Sequence, residues 1–234
     1  MTKEQALSKL QLNPRLLQIA RLVPTCKAVA DIGTDHGYIP IFSVLAGLCD
    51  GAIASDINKG PIKRAEENVK LFCLEDKISL RLGGGLETVQ PGEADVIVIA
   101  GMGGILVSDI LEKSKDVVNG AKHLILQPMT AVKELREYLC QNSFCVQKEV
   151  LVAEEDKLYS IICVDVGGEC EYSPKELLLG KNVEETEDGL FEENRKRVVQ
   201  KLEKRLAGLE KSVIPKNLGQ AKGVRDLLEL VNNG

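Results

Sequence analysis

The chain has 234 residues, of which 44% are hydrophobic, and its 35 acidic and 30 basic side chains give a net charge of −5. This length and composition are typical of a globular protein of one or two domains, and the negative charge argues against a generally basic nucleic-acid binder. No apolar stretch approaches the ~20 residues of a membrane span, and residues 1–10 lack the apolar core of a signal peptide, so we expect a cytoplasmic protein that does not enter a membrane.

The first two thirds of the chain are predicted to alternate between strands and helices. We expect helices at 13–24, 38–48, 58–72, 103–113 and 130–140, with Pro14 in the first turn of the first and Thr130 as the N-cap of the last. Strands are expected at 27–33, 51–57, 77–82, 94–100 and 122–128. Residues 144–154 and 157–166 follow without a helix between them and should pair as an antiparallel hairpin. The pattern predicts an α/β fold with an open, mostly parallel sheet and helices on both faces.

The last sixty residues are predicted to form a helical module. Ser173, Pro174 and Gly180 mark the start and end of a short helix, and the acidic segment 184–193 follows as a linker. An apolar stripe at helical spacing then comprises Phe191, Asn194, Val198, Leu202, Arg205, Leu209 and Val213, and a second comprises Val224, Leu227, Leu228 and Val231. These stripes favour two antiparallel helices in a coiled-coil hairpin.

The charge of this module is uneven. Residues 195–225 hold ten basic and two acidic side chains, a net charge of +8. Such a basic stripe suits contact with RNA phosphates. An ordinary amphipathic hairpin docked on the first domain, or a dimer seam, is the alternative interpretation.

A ligand crevice is expected where the parallel strands end. In sheets of this kind ligands bind beyond the carboxyl ends of the strands. That edge brings together residues 31–38, 56–58, 83–86, 100–104 and 127–130.

The loop after the first strand carries two acidic residues, Asp31 and Asp35, in "DIGTDHG". Its glycines, Gly33 and Gly37, form GxxxG and not the dinucleotide fingerprint GxGxxG, and carboxylates there would repel a pyrophosphate. S-adenosylmethionine has no phosphate and carries a sulfonium and an ammonium, which carboxylates favour. Alternatively, the two aspartates only cap the helix and shape the turn.

Asp56 ends the second strand, 23 residues after Gly33. This spacing is close to the ~20 residues at which an acidic side chain reaches ribose hydroxyls. It favours S-adenosylmethionine over a nicotinamide cofactor, which remains the alternative. The third strand ends in Gly83, Gly84 and Gly85, which offer only backbone groups to an adenine ring, and Glu87 lies further along the loop.

The segment after the fourth strand, "AGMGGI", limits which kind of acceptor atom the enzyme can methylate. It lacks the aromatic [DNS]-P-P-[YFW] loop used for exocyclic amines, and no cysteine nucleophile lies at the fourth or fifth strand end. A ring nitrogen with an available lone pair is then the expected acceptor. Gly101, Gly103 and Gly104 would leave room for a flat base, or simply form a tight turn, and Asp35 and His36 are the nearest titratable candidates for catalysis.

The seven cysteines predict no metal site. They are odd in number, contain no CxxC pair and lie mostly in apolar runs. Reduced thiols of a cytosolic protein are the expected state.

Five motifs, in order, are "DIGTDHGYIPI", "ASDINKGPIKRAEENV", "GGGLETV", "AGMGG" and "LQPM". Together they resemble the bacterial tRNA adenine N1-methyltransferases that modify position 22 (TrmK). The resemblance implies a Rossmann-like class I methyltransferase domain with a seven-stranded sheet at 1–168, a helical coiled-coil domain at 169–234, and transfer of a methyl group from S-adenosylmethionine to N1 of adenine in tRNA. One departure is Gly84, where the family usually has the acid of GDGL.

The resemblance and the crevice together predict the site residues. The expected cofactor-binding residues are Asp31, Gly33, Thr34, Asp35, His36, Gly37, Tyr38, Asp56, Ile57, Gly84, Gly85, Ala100, Gly101 and Met102. The expected substrate-binding residues are Gly103, Gly104, Gln127, Pro128, Arg195, Lys196, Lys201 and Lys204. We expect tRNA as partner and a monomer or weak dimer. A small-molecule methyltransferase and a non-catalytic RNA- or protein-binding relative remain alternatives.

Overall fold

The computed structural model describes residues 3–169, 171–181, 183, 189–211 and 215–232. Cys170, the acidic residues 184–188 and the apolar position Val213 lie outside the described residues. Within the described chain, the predicted alternation of strands and helices is confirmed.

Seven strands of the described chain form one sheet. They are β1 (Cys26–Ile32), β2 (Cys49–Asp56), β3 (Ile78–Leu82), β4 (Val96–Gly103), β5 (His123–Thr130), β6 (Phe144–Glu154) and β7 (Lys157–Val166). Their spatial order is β3-β2-β1-β4-β5-β7-β6. The first five strands are parallel, and β7 runs antiparallel to both β5 and β6, as the predicted hairpin requires.

Helices cover both faces of this sheet. Those of the first part of the chain are α1 (Lys3–Lys9), α2 (Pro14–Leu22), α3 (Tyr38–Ala46), α4 (Lys59–Leu71), α5 (Gly104–Lys113), α6 (Lys115–Asn119) and α7 (Val132–Gln141). Helices α1 to α4 pack on one face, whereas α5 to α7 pack on the other. In the described residues, no helix combines the length and the apolar character needed to cross a bilayer.

Strand β4 shows why the sheet needs both layers. Val96 and Val98 pack into the core on the α1–α4 side, and Ile97 and Ile99 pack into the core on the α5–α7 side. All four side chains are fully buried. A strand whose alternate residues are all apolar can exist only between two layers, because either face would otherwise expose hydrocarbon to water.

The ends of β4 and β5 differ from the prediction. Strand β4 continues through the expected loop to Gly103, and Gly103 pairs with Thr130 after register shifts at Met102. This pairing keeps Thr130 in β5, so Thr130 is not the N-cap of α7, and that prediction is wrong. The cap is Ala131, in a left-handed conformation with φ 52° and no side-chain hydrogen bond.

The C-terminal module consists of α8 (Pro174–Leu179), α9 (Leu190–Glu210) and α10 (Pro215–Asn232). Helix α8 starts with the predicted Ser173 cap, which forms a reciprocal capping box with Glu176. Helices α9 and α10 pack together through predicted stripe residues such as Leu202 and Val224. Two polar stripe positions behave differently: Asn194 donates to the Leu179 carbonyl at 3.0 Å, and Arg205 is exposed.

A buried ion pair joins this module to the sheet. Arg136 of α7 and Glu149 of β6 are 1% and 2% exposed, and their Nη2 and Oε2 atoms lie 2.7 Å apart. Arg136 Nη1 also donates to the carbonyls of Leu177 and Leu178 in α8, at 2.9 and 3.2 Å. Glu149 accepts from the Tyr172 hydroxyl at 2.6 Å. Because both charges are fully hydrogen-bonded, their burial is tolerated, and α8 is part of what satisfies them.

Candidate active site

The crevice lies where β1, β2 and β4 end side by side. Asp31 pairs in register with Ala54 on one side and with Val98 on the other, so the carboxyl ends of the three strands lie at the same edge of the sheet. Two cavities open there, of about 410 Å³ and about 380 Å³. Gly33 lines both of them. The arrangement suits one elongated ligand with two chemically different ends.

The turn at Gly33 is held by β2. The backbone N–H groups of Gly33 and Thr34 both donate to the Ser55 carbonyl, at 2.8 and 2.9 Å. Gly33 has φ +78°, and a Cβ there would lie 2.3 Å from the Met102 Cε atom. The left-handed backbone favours glycine here, and the flexible end of the Met102 side chain, which belongs to β4, fills the space beside it.

The larger cavity has an acidic and an apolar character. Asp56 closes β2, and its Oδ1 accepts the Asn58 N–H at 2.7 Å, which orients the carboxylate. Ile57 and Leu106 line the cavity although they are 70% and 51% exposed. Hydrophobic side chains beside an oriented carboxylate are suited to a flat aromatic ring attached to a sugar.

Glu87 lines the same cavity as Gly84. Its Oε2 lies 3.5 Å from the position that a Cβ on Gly84 would occupy, and its backbone N–H donates to the Gly84 carbonyl at 3.1 Å. The turn thus folds the Glu87 carboxylate back over the acid-free glycines. Sequence reasoning did not assign Glu87 a role, because the tight return of the loop was not predicted from its glycine spacing.

The smaller cavity contains a buried carboxylate. Asp31 is 5% exposed, and burial raises its pKa from 3.8 to about 6, with Thr34 opposing the shift and Asp56 adding to it. No ion pair with Asp31 occurs in the described part of the chain. A cationic ligand in this cavity would compensate the cost of burying that charge.

Asp35 and His36 lie at the mouth of the smaller cavity. Asp35 is 62% exposed and pairs with Arg64 of α4, whose Nε lies 3.1 Å from Oδ1. The His36 Nε2 lies 3.4 Å from the other carboxylate oxygen, and its ring stacks on Tyr38 with centroids 5.0 Å apart. The Asp35–Arg64 pair joins residues 29 apart in sequence, and no local pattern indicated it.

Gln127 and Gly104 are placed inside the structure. Gln127 is fully buried, and its Oε1 accepts from the Gly101 N–H at 3.2 Å and from Arg15 Nη1 at 2.6 Å. A Cβ on Gly104 would lie 2.2 Å from the Ala131 carbonyl oxygen, which accounts for the glycine by packing. Pro128 follows Gln127 in β5 and lines a groove towards α9 instead of the two cavities.

The groove between the sheet and α9 has a volume of about 620 Å³. Basic side chains that line it are the buried Arg136 and, nearer the surface, Lys133, Lys157, Arg197, Lys201 and Arg205. Of the four tail residues predicted from the sequence, only Lys201 lines the groove. Arg195 pairs with Glu192 at 2.8 Å, and Lys196 and Lys204 are exposed outside the groove.

No cluster of three or more potential metal-ligating side chains occurs among the described residues.

Residues 12–162 match the family described as "Methyltransferase domain". The fold and the paired cavities at the carboxyl edge thus define a methyltransferase. A tRNA (adenine(22)-N(1))-methyltransferase of Bacillus subtilis is 40% identical over 161 residues, which are 69% of this chain and 68% of that protein.

Solved structures extend this similarity to the helical module. The crystal structure of the B. subtilis m1A22 tRNA methyltransferase TrmK matches with a TM-score of 0.86 and 32% identity, over 96% of this chain and 98% of that chain. A Streptococcus pneumoniae protein, a suggested tRNA (m1A22) methyltransferase in complex with S-adenosyl-L-methionine, matches with a TM-score of 0.78 and 30% identity, over 95% and 99%. The chain belongs to the TrmK family of tRNA (adenine-22-N1)-methyltransferases.

The raised pKa of Asp31 predicts how this residue affects stability. Between pH 4 and 6 the unfolded chain loses the Asp31 proton while the folded chain keeps it, so the Asp31 contribution to stability falls as pH rises. It should reach a cost of about 3 kcal/mol above pH 6. Urea unfolding of the ligand-free protein from pH 4 to 8 should show Asp31→Asn gaining stability over the parent across this range. Asp35→Asn, at an exposed position, is the control, and equal pH profiles of the parent and Asp31→Asn would contradict the assignment.

Proposed function

We propose that this chain transfers the methyl group of S-adenosylmethionine to N1 of the adenine at position 22 of tRNA. The observation that carries the proposal is the pair of cavities joined at Gly33, each with a carboxylate at its strand end, Asp56 in one and Asp31 in the other. The nucleoside end of the donor suits the first cavity, and its cationic methionine end suits the second.

The donor supplies an activated methyl group, and the acceptor nitrogen supplies the electron pair. The carbon–sulfur bond breaks as the carbon–nitrogen bond forms, and positive charge moves to the adenine. N1 carries no proton to be removed, so the enzyme needs alignment, exclusion of water and a favourable electrostatic environment. We propose that Asp31 and Asp35 provide this negative environment, with His36 at the mouth of the cavity.

Nucleoside mass spectrometry tests the function directly. The protein, S-adenosylmethionine and unmodified tRNA should yield 1-methyladenosine when digestion avoids alkali, which would rearrange the product to N6-methyladenosine. The matched control is the same tRNA with guanine at position 22, which should remain unmethylated. N6-methyladenosine as the sole primary product, or equal methylation of the control tRNA, would refute the proposal.

Glu87 offers a carboxylate in the same cavity as Gly84, the position where the family usually has an acid. We propose that its carboxylate accepts a hydrogen bond from the adenine amino group of S-adenosylmethionine in place of the missing acid. The position of Glu87 Oε2, 3.5 Å from a Cβ built on Gly84, favours this substitution. In this chain the acid then stands at residue 87 instead of residue 84. The glycine at residue 84 therefore does not indicate a non-catalytic relative.

Moving the acid from residue 87 to residue 84 tests whether Glu87 replaces the family's usual acid. Glu87→Ala should weaken S-adenosylmethionine binding about tenfold in calorimetry, because one charge-assisted hydrogen bond is lost at a partly solvated site. Gly84→Asp added to Glu87→Ala should recover most of the affinity, since ordinary van der Waals space surrounds a Cβ at residue 84. If Glu87→Ala binds like the parent, the adenine is held by other groups.

The groove beside α9 favours tRNA over a small-molecule acceptor. We propose that RNA phosphates follow it from the crevice along α9. Lys157, Lys201 and Arg205 line it and form no ion pair within the described residues, so they are available to phosphates. Pro128, Met129 and Thr130 at the end of β5 line the same groove, which connects it to the catalytic edge.

Charge reversal distinguishes this groove from the rest of the hairpin. Lys201→Glu/Arg205→Glu should weaken tRNA binding and lower the slope of log affinity against log salt by about 0.7 to 0.9 for each lost phosphate contact. Lys196→Glu/Lys204→Glu removes the same charge outside the groove and should change the slope less. S-adenosylmethionine binding should be unchanged in both. A larger effect of the outer pair would place the RNA on the opposite side of α9.

We further propose that residues 1–168 bind the donor and 169–234 bind tRNA, and that the enzyme acts in the cytoplasm as a monomer or weak dimer. Cys26, Cys49, Cys73, Cys145 and Cys163 are free thiols, which fits a reducing compartment. The Arg136–Glu149 network supports a fixed arrangement of the two modules, because it is completed only by atoms from both.

A further inference from the structure

Arg15 is a basic side chain on the wall of the smaller cavity, opposite the acidic loop. It lies on α2, is 15% exposed, and lines the cavity together with Asp31 and Asp35. Its guanidinium lies 5.5 Å from the centroid of the Tyr159 ring, and its Nη1 donates to Gln127 Oε1 at 2.6 Å. These contacts on β5 and β7 fix the side chain in one orientation.

The guanidinium of Arg15 has N–H groups that are not hydrogen-bonded within the described residues. Its Nε is buried and has no hydrogen-bond partner among the described residues. The nearest carboxylate oxygen, Glu154 Oε2, is 4.0 Å from Nε and already accepts the backbone N–H of Arg15 at 3.2 Å. The other oxygen of Glu154 accepts from the Asn13 side chain. An acceptor in the cavity would give this buried Nε–H the hydrogen bond that it lacks, and leaving it unbonded costs free energy.

The charges around the smaller cavity match those of an amino acid. The acidic loop suits a sulfonium and an ammonium, whereas a carboxylate would be repelled by Asp31 and Asp35 and needs a cation. Arg15 is the one Lys or Arg side chain among the described residues that line this cavity. Its planar fork is the side-chain geometry that binds a carboxylate with two parallel hydrogen bonds.

We propose that Arg15 binds the carboxylate of the methionine end of S-adenosylmethionine. The inference rests on the proposed function for the identity of the donor, and it adds a binding residue from outside the strand-end loops. Through Gln127, which also accepts the Gly101 N–H at 3.2 Å, the same side chain connects the donor site to the end of β4. Arg15 thus determines specificity for the methionine end.

A ligand lacking only the carboxylate provides the test. Calorimetry should compare S-adenosylmethionine with decarboxylated S-adenosylmethionine, which keeps the sulfonium and the amine. The unaltered protein should prefer the carboxylate-bearing ligand by about tenfold or more. Arg15→Met should bind both ligands with nearly equal affinity, and Arg15→Lys should keep part of the preference because it keeps the charge.

The controls separate binding from structure. Arg21→Met, at an exposed position of the same helix, should keep the full preference. Circular dichroism checks that each variant is folded, and the preference of the unaltered protein does not depend on any variant. If Arg15→Met weakens both ligands by the same factor, Arg15 only braces Gln127 and the inference is wrong. If it lowers tRNA affinity alone, Arg15 contacts RNA phosphate instead.

The outcomes also separate this inference from the proposed function. If the unaltered protein binds S-adenosylmethionine without preference over the decarboxylated ligand, Arg15 does not bind a carboxylate, although the methyltransferase assignment stands. If it binds neither ligand, the donor itself is wrong.

Discussion

The candidate active site depends on two hydrogen bonds to one carbonyl oxygen. Gly33 and Thr34 both donate to Ser55, which attaches the loop after β1 to the end of β2. The left-handed conformation of Gly33 follows from that attachment, and the missing side chain leaves the space that the Met102 methyl group enters. Three strand ends are thereby linked. Without this turn, the two cavities would not share a wall, and Asp31 and Asp56 would not serve one ligand.

The distribution of charge explains how a protein with a net charge of −5 can use an RNA substrate. The carboxylates of Asp31, Asp35 and Asp56 line the cavities that we propose for the cationic methyl donor. Lys157, Lys201 and Arg205 line the groove instead, and none of them forms an ion pair with another described residue. Each surface has the sign opposite to the ligand that we propose for it, and the net charge of the chain averages over both surfaces.

The fold could be predicted from the sequence because its signals are local. Short apolar runs identify the central strands, and the Ser173–Pro174–Glu176 cap identifies the start of α8. The hairpin of β6 and β7 has the predicted bounds of 144–154 and 157–166. The end of β4 was missed because its glycine run has the composition of a loop, and only the pairing of Gly103 with Thr130 keeps it in the sheet.

The candidate site could be predicted only in part. Asp31 and Asp56 lie in the last two residues of β1 and β2, so strand assignment places them at the edge. Arg15 meets Gln127 across 112 residues, and Arg64 meets Asp35 across 29, so neither pairing has a signature in the local sequence. Glu87 is near Gly84 in sequence, but its return over the cavity depends on the loop conformation.

The buried pair of Arg136 and Glu149 affects where this protein can be divided. A fragment ending at residue 168 would keep both charges but lose the Leu177 and Leu178 carbonyls and the Tyr172 hydroxyl that complete their hydrogen bonds. In this fragment the guanidinium of Arg136, which is buried in the full chain, would be exposed to water or would lack hydrogen-bond partners. A fragment that includes α8 keeps these partners. Helix α8 therefore contributes to the stability of both modules. When the C-terminal module is exchanged between relatives, α8 should remain with the sheet that it stabilises.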